Sequence, residues 1–245
     1  MGFEIAAHLL DIAKDRLYVS GANEVRRRSC QTVLQLVVER LAGLIAPVLC
    51  HLAEDIWQHL PYRDKLDELE SSVFERGWPR VPQEWRENLT FEQKTAIKDV
   101  REGLTPLLRD PLNRLLEGCR GEGQLGASLE AQVQLLIDPS QDGGRALQKV
   151  LEAIAASPHP DVDNLGDWLL VSAVAIGGAA PEGVLAETSE AGVTVRVARA
   201  AGQKCERCWH YATDIGQHTS HPSLCGRCVA VLDGPQGAAG PGAIR

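Results

Sequence analysis

No stretch of this 245-residue sequence is apolar for long enough to span a bilayer, so no membrane role is expected. Nothing at its start reads as a secretory signal, and the first residues are neither Arg-rich nor free of acids, as a transit peptide would be. The cytoplasm is therefore the expected compartment, with chloroplast or mitochondrion as the alternative. Excess positive charge is also missing: 25 basic residues face 33 acidic ones, a net charge of −8. Such a chain has no general affinity for nucleic acid, and any role of that kind must rest on local patches. Catalytic patterns are lacking too. Ser128 and His159 stand in no spacing that pairs a nucleophile with a base, and the neighbours Glu54 and Asp55 sit among packing residues. No catalytic residue is expected.

What is present is a globular composition, 44% hydrophobic and 24% charged, in a chain long enough for one large or two small domains. Two short basic patches interrupt the acidic whole. Residues 14–40 set Lys14, Arg16, Arg26, Arg27, Arg28 and Arg40 against Asp15, Glu24 and Glu39, a surplus of three. Residues 199–245 set Arg199, Lys204, Arg207, Arg227 and Arg245 against Glu206, Asp214 and Asp233, a surplus of two. A solvated helix face accounts for the first patch as well as a ligand does.

Cysteine carries the strongest signal. Four of the seven cysteines fall within 24 residues, in the runs Lys204-Cys205-Glu206-Arg207-Cys208-Trp209-His210-Tyr211 and Leu224-Cys225-Gly226-Arg227-Cys228-Val229. Two Cys-x-x-Cys pairs separated by sixteen residues suit a closed tetrahedral zinc site: each turn aims two thiolates at one metal, and the loop between them returns to close the tetrahedron. Four thiolates leave no position for water, so one structural zinc ion, held by Cys205, Cys208, Cys225 and Cys228, is the expectation. Two disulfides would suit a secreted protein, and a thioredoxin-like motif would need a single pair in a βαβ setting. Iron–sulfur ligation draws on the same residue type. Cys30, Cys50 and Cys119 are scattered and read as buried structural thiols. His218 and His221 lie inside the loop, where four cysteines already complete the set.

Along the chain the pattern predicts an α+β, multi-domain protein. Residues 1–61 are helical: Leu34, Val37, Val38, Leu41, Leu44 and Ile45 recur at three- and four-residue steps as one buried face, with Asn23 as candidate N-cap. Pro47 ends that helix, and the next carries Leu52, Ile56, Trp57 and Leu60 on one side. Two such helices cannot bury both stripes against each other and call for partner helices. Residues 62–90 read as an extended, proline-punctuated connector pinned by Trp78 and Trp85. Residues 91–201 turn helical, broken near Pro106 and Pro111, and then alternate: a strand over Gln132–Ile137, a helix over Arg145–Ala155, a β-rich run over Trp168–Ile176, and a half-exposed strand through Val193, Val195 and Val197. Residues 202–233 form the zinc finger. The Gly/Pro/Ala-rich run 234–245 is expected to be disordered.

Several runs, taken in order, resemble the C-terminal part of the class I isoleucyl-tRNA synthetases of bacterial and organellar type. Asp11-Ile12-Ala13-Lys14-Asp15-Arg16-Leu17-Tyr18, Arg27-Arg28-Ser29-Cys30-Gln31-Thr32-Val33-Leu34, Ile45-Ala46-Pro47-Val48-Leu49 and Ala53-Glu54-Asp55-Ile56-Trp57 are similar to that family's anticodon-binding helical bundle. Ser72-Val73-Phe74 with Gly77-Trp78-Pro79 is similar to its connector. Gly126-Ala127-Ser128-Leu129-Glu130-Ala131 resembles the Gly-Ser-Ser-Leu-Glu-Ala element of its junction domain, and Cys205–Tyr211 with Cys225–Val229 resembles its terminal zinc finger. Met1–Ala7 matches nothing in the pattern, and His8-Leu9-Leu10 departs from a more aromatic run.

The resemblance implies the tRNA-recognition portion of an isoleucine–tRNA ligase, an enzyme that as a whole joins isoleucine to tRNA(Ile) with ATP. The family's His-Ile-Gly-His and Lys-Met-Ser-Lys-Ser elements are absent from this sequence, as is the editing domain, so ATP binding and catalysis are expected only in a separate catalytic portion. A fragment, half of a split enzyme, or a stand-alone derivative would each fit; the first is the expectation, as a monomer inactive alone. Arg207, Trp209, His210, Tyr211 and Arg227 around the knuckles are candidates to read unstacked bases, and Lys14, Arg26, Arg27 and Arg28 to contact phosphates. Trp209 and Tyr211 serve equally as an apolar plug over the zinc. Two other readings remain: a DNA-binding module related to the formamidopyrimidine-DNA glycosylases, whose nucleophilic N-terminal proline has no counterpart in Met1-Gly2-Phe3-Glu4, and a non-catalytic stand-alone RNA-binding or scaffold protein.

Overall fold

A computed structural model of the chain describes residues 2–61, 71–80, 82, 83, 100–155 and 165–234. It divides into two compact units, residues 25–90 in one and residues 1–24 with 91–245 in the other. The first helix, grouped with residues 1–61 in the sequence reading, falls in the larger unit, and residues 71–80, read as part of a connector, fall in the helical one.

The helical unit holds α2 (Val25–Ile45) and α3 (Cys50–Gln58), with Pro47 in the turn between them. Its core is small, formed by Ala42, Ala46, Ala53, Trp57, Leu60 and Val73. Residues 71–79 close over it. Glu54 of α3 accepts hydrogen bonds from the Ser72 hydroxyl at 2.8 Å and the Val73 N–H at 3.0 Å, and Arg76 reaches both Glu39, at 2.7 Å, and the face of Trp57. Pro79 lies against Gly43 so closely that a β-carbon there would stand 2.5 Å from its Cγ, which explains why α2 carries glycine mid-helix. The expected buried stripe of α2 is a correction. Only Ala42 and Gly43 of that helix are buried; Val37, Val38, Leu41 and Leu44 are exposed, as is Leu52 of α3. The small residues face α3 because they let the two backbones approach, and the large ones face outward. Trp78 is exposed and does not pin the chain, while Trp85 lies outside the described residues. Cys50 is exposed and Cys30 half-buried; of the scattered thiols only Cys119 is buried as expected.

The larger unit contains α1 (Gly2–Tyr18) and a helical run that passes from a π-helical stretch, Val100–Arg109, into α4 (Asp110–Gly121). Pro111 sits in the first turn of α4, where a missing N–H costs nothing, so the expected break is a change of winding rather than an end. Next come β1 (Ala131–Ile137), α5 (Asp142–Ala155), the short α6 (Leu165–Leu169), β2 (Ala173–Ile176), β3 (Val184–Glu190) and β4 (Val193–Arg199). The expected β-rich run from Trp168 is divided, its first residues ending α6 and the rest forming β2. His159 and the expected disordered tail from 235 onward lie outside the described residues.

The sheet order is β2-β1-β4-β3; β1 and β2 are parallel, the other pairs antiparallel. Alternation does what it should. Val133 and Leu135 of β1 stand opposite Val197 and Val195 of β4, and all four join Leu108, Leu112 and Leu116 from the helical run and Leu147 from α5 in one core. On the other face, buried Gln134 gives its amide to the carbonyls of Gly177, Gly178 and Ala179 and accepts from Arg196, which satisfies a polar group the sheet would otherwise strand. The β3–β4 hairpin turns on Ala191 and Gly192, both with positive φ, the conformation that matches strand twist in a two-residue turn. The start of α5 presses on that turn through Gly144, whose N–H donates to the Ala191 carbonyl at 2.9 Å.

Candidate metal centre

The chain leaves β4 and folds into a module with no room for an apolar core. β5 (Gln203–Lys204) and β6 (Tyr211–Ala212) form a two-stranded ribbon, and the first Cys-x-x-Cys is the turn at its tip. The Cys205 N–H donates to the His210 carbonyl, and the Trp209 N–H to the Cys205 carbonyl, both at 2.9 Å. This tight path forces Trp209 to a φ of +66°, costly for a large residue and tolerable only where the rest of the turn dictates it. The second pair opens α7 (Gly226–Asp233), with Cys225 as its N-cap residue. Asp214 from the intervening loop accepts from the Gly226 N–H at 2.7 Å and pairs with His218 at 3.1 Å. His221 pairs with Asp233 at 3.3 Å. Both loop histidines thus face carboxylates, not the cysteines.

The four thiols converge. Cys205, Cys208, Cys225 and Cys228 are all buried, with every sulfur within 4.8 Å of every other. Cys208 and Cys225 sulfurs are 3.7 Å apart. A tetrahedron with metal–sulfur bonds of about 2.3 Å has edges of about 3.8 Å, close to the Cys208–Cys225 separation, so the set suits a zinc ion. The electrostatics favour the charged form at one corner. A hydrogen bond from Cys228 holds Cys208 low, as thiolate, and pushes Cys228 up in return, while burial raises Cys225. The amide of Cys225 points at the Cys205 sulfur at 3.4 Å, and an Arg207 nitrogen lies 3.6 Å from the Cys228 sulfur. A zinc ion in this set would hold the four thiolates together and fix the two turns; the chemistry it supplies is structural.

Beside the metal site lies a cavity of about 840 Å³ walled by the end of α1, the loop 126–129 and the first knuckle. Lys14, Arg207, Trp209 and His210, all expected from the sequence to face RNA, line it. Trp209 is 62% exposed with the Lys204 ammonium over its ring, so it is not the plug over the metal; Val19 of the α1 terminus takes that place. Tyr211 is half-buried, and its N–H donates to the Ser172 hydroxyl at 2.8 Å. His210 stands above its ordinary pKa: burial, the largest single effect, pulls it down, but the hydrogen bond with Cys208 together with the negative charges of Cys208 and Asp15 outweighs burial and the Arg227 charge.

The arginines are placed differently from the expectation. Arg227 spends its fork on Asp15 of α1, with two bonds of 2.8 Å, and Arg207 donates to the backbone carbonyls of Val19 at 2.7 Å and Tyr18 at 3.4 Å. Lys14 pairs with Asp11 on its own helix. Arg26, Arg27 and Arg28 stand on α2 in the helical unit, where Arg28 donates to Gln31. Sequence reasoning missed Asp15, which lies 212 positions from its partner, and Tyr18, 75% exposed on the cavity wall. An isolated aromatic at a helix end carries no signal of its own; only the fold brings it to the cavity that Trp209 also lines.

Residues 3–135 match the family described as the anticodon-binding domain of tRNA ligase, over half of the chain. The chain belongs to that family. A second match, residues 202–231, is to the zinc finger found in FPG and IleRS and covers all four cysteines. Its description names both enzymes, so alone it chooses neither; the anticodon-binding match favours the ligase over the glycosylase reading. Among curated relatives, the isoleucine–tRNA ligase of Prochlorococcus marinus is 53% identical over 230 residues, 94% of this chain and 22% of that protein. Those of Parasynechococcus marenigrum and a Synechococcus species are 48% and 49% identical over the same share of each. The resemblance to the C-terminal part of the isoleucyl enzymes is borne out, and the chain spans about a fifth of the length of the curated relatives it matches.

Proposed function

We propose that this chain binds tRNA(Ile) as the anticodon-region recognition portion of an isoleucine–tRNA ligase, with isoleucine activation and transfer carried out by a catalytic portion that uses ATP. The observation that carries the reading is the placement of exposed Trp209 and Tyr18 on one cavity wall with Lys14, Arg207 and His210, on a support stiffened by four converging thiols. Unstacked anticodon bases are read by stacking and by hydrogen bonds, and both need rings held rigidly. The wall sets Lys14, Arg120 and Arg207 against Asp11, Asp15 and Asp167, so affinity there would come from stacking and hydrogen bonds rather than from net charge. One zinc ion per chain completes the support. The chain acts as a monomer in the cytoplasm or an organelle, and among its described residues no helix is long and apolar enough to cross a membrane.

The test is binding of the 245-residue chain to tRNA(Ile) and to random RNA of equal length at physiological salt. A preference for the tRNA that falls when zinc is chelated supports the reading; equal affinities would sink it.

A further inference from the structure

Two arginines next to the metal ligands reach away from them, to the end of α1. Arg207 touches the Cys228 sulfur at 3.6 Å and donates to the Val19 carbonyl at 2.7 Å with the same nitrogen. Arg227, between the ligands Cys225 and Cys228, holds Asp15 through a bidentate fork of 2.8 Å on each arm. Val19 itself packs among the four cysteines. Each knuckle therefore supplies one arginine, and each arginine links its knuckle to the end of a helix about 190 to 210 positions earlier in the chain.

A divalent ion in four thiolates leaves a net charge of about −2 on the cluster. Two guanidinium groups beside the sulfurs offset that charge, provided they are held in place. Arginine is suited to this because its planar fork can satisfy a carboxylate on one side while presenting N–H groups to sulfur on another. Asp15 is 15% exposed and half-buried, so its fork with Arg227 is shielded from the solvent that weakens surface pairs. Removing a group that bonds to a metal ligand changes metal affinity by about 10–100-fold, and Asp15 acts on the arginine set between two ligands.

We propose that Asp15 and the carbonyls of Tyr18 and Val19 are positioning groups in the outer shell of the metal centre, so that packing of α1 and retention of zinc form one coupled equilibrium. Metal in the knuckles fixes the helix end, and the helix end slows metal loss; the coupling is reciprocal. It rests on the four-thiolate metal reading and is independent of RNA binding.

The experiment follows zinc release from the 245-residue chain to a chromophoric chelator. Asp15→Asn should release zinc about 10–100 times faster than the unaltered chain. Asp11→Asn, on the same helix but paired with exposed Lys14 and bonded to neither knuckle arginine among the described residues, should release it at the unaltered rate. Arg227→Lys keeps the charge and loses the fork, and should fall between. Without any substitution, chelation should strip hydrogen-exchange protection from the Val19 amide, which donates to the Asp15 carbonyl at 2.9 Å. Equal release from Asp15→Asn and the unaltered chain overturns the proposal. So does unchanged Val19 protection after chelation, which decides the matter if Asp15→Asn folds poorly. An unaltered chain that carries no zinc overturns the metal reading and this coupling together. A chain that fails to bind tRNA yet shows the release pattern overturns only the proposed function.

Discussion

The helical unit of residues 25–90 and the metal module after β4 both lack the apolar mass for an ordinary core, and they compensate in different ways. The helical unit uses small residues. Ala42, Ala46 and Ala53 bring α2 and α3 close, and one large side chain, Trp57 at 1% exposure, fills the space under residues 71–79. The metal module uses thiols. Its buried cluster is Val19 and four cysteines, a set with almost no hydrophobic surface to bury. The first device leaves large apolar side chains on the surface, among them Val37, Leu41 and Leu44; the second leaves an aromatic, Trp209, there. A core set by ligand geometry fixes where each neighbouring side chain points, whereas one set by close backbone approach fixes only the interface.

The comparison breaks most severely at the metal. Cys225→Ser should abolish tight zinc binding, worth about 10–16 kcal/mol in apparent terms for structural sites, and unfold residues 202–233. Elemental analysis together with circular dichroism on chelation would check this, and the helical unit should be untouched. Next in size is Trp57→Ala, expected to cost about 3–5 kcal/mol in denaturant unfolding of the helical unit while zinc content stays at that of the unaltered chain. Gly43→Ala drives a β-carbon into the Pro79 ring and should cost about 1–3 kcal/mol in the same assay. Trp209→Ala should leave stability nearly unchanged and weaken tRNA binding by about 1–3 kcal/mol, measured by titration. Smallest is Leu41→Gln on the exposed face of α2, expected within about 0.5 kcal/mol of the unaltered chain. A cost of several kcal/mol there would mean that the stripe is covered after all.

Much of the site was legible in the sequence because ligand chemistry is local. Two Cys-x-x-Cys pairs point to a metal site by their spacing, and the four sulfurs converge as that spacing requires. The strands β1 and β4 were legible for a similar reason: alternation with period two has one meaning once a sheet has one apolar face. The α2 stripe was misread because a helical period says which residues share a face and not what lies against it. Its small residues, which carried no weight in the pattern, won the interface.

The sequence by itself therefore determined the metal ligands, the α+β character and the position of the aromatic residues after the first knuckle. Only the tertiary structure decided which partners the arginines keep. Arg207 and Arg227 looked like groups free to meet an anionic strand; folding brings α1 against the knuckles and gives them carbonyls and a carboxylate instead. The reason is that a guanidinium bonds to whatever acceptor the fold delivers within about 3 Å, and no pattern along the chain records a neighbour two hundred residues away.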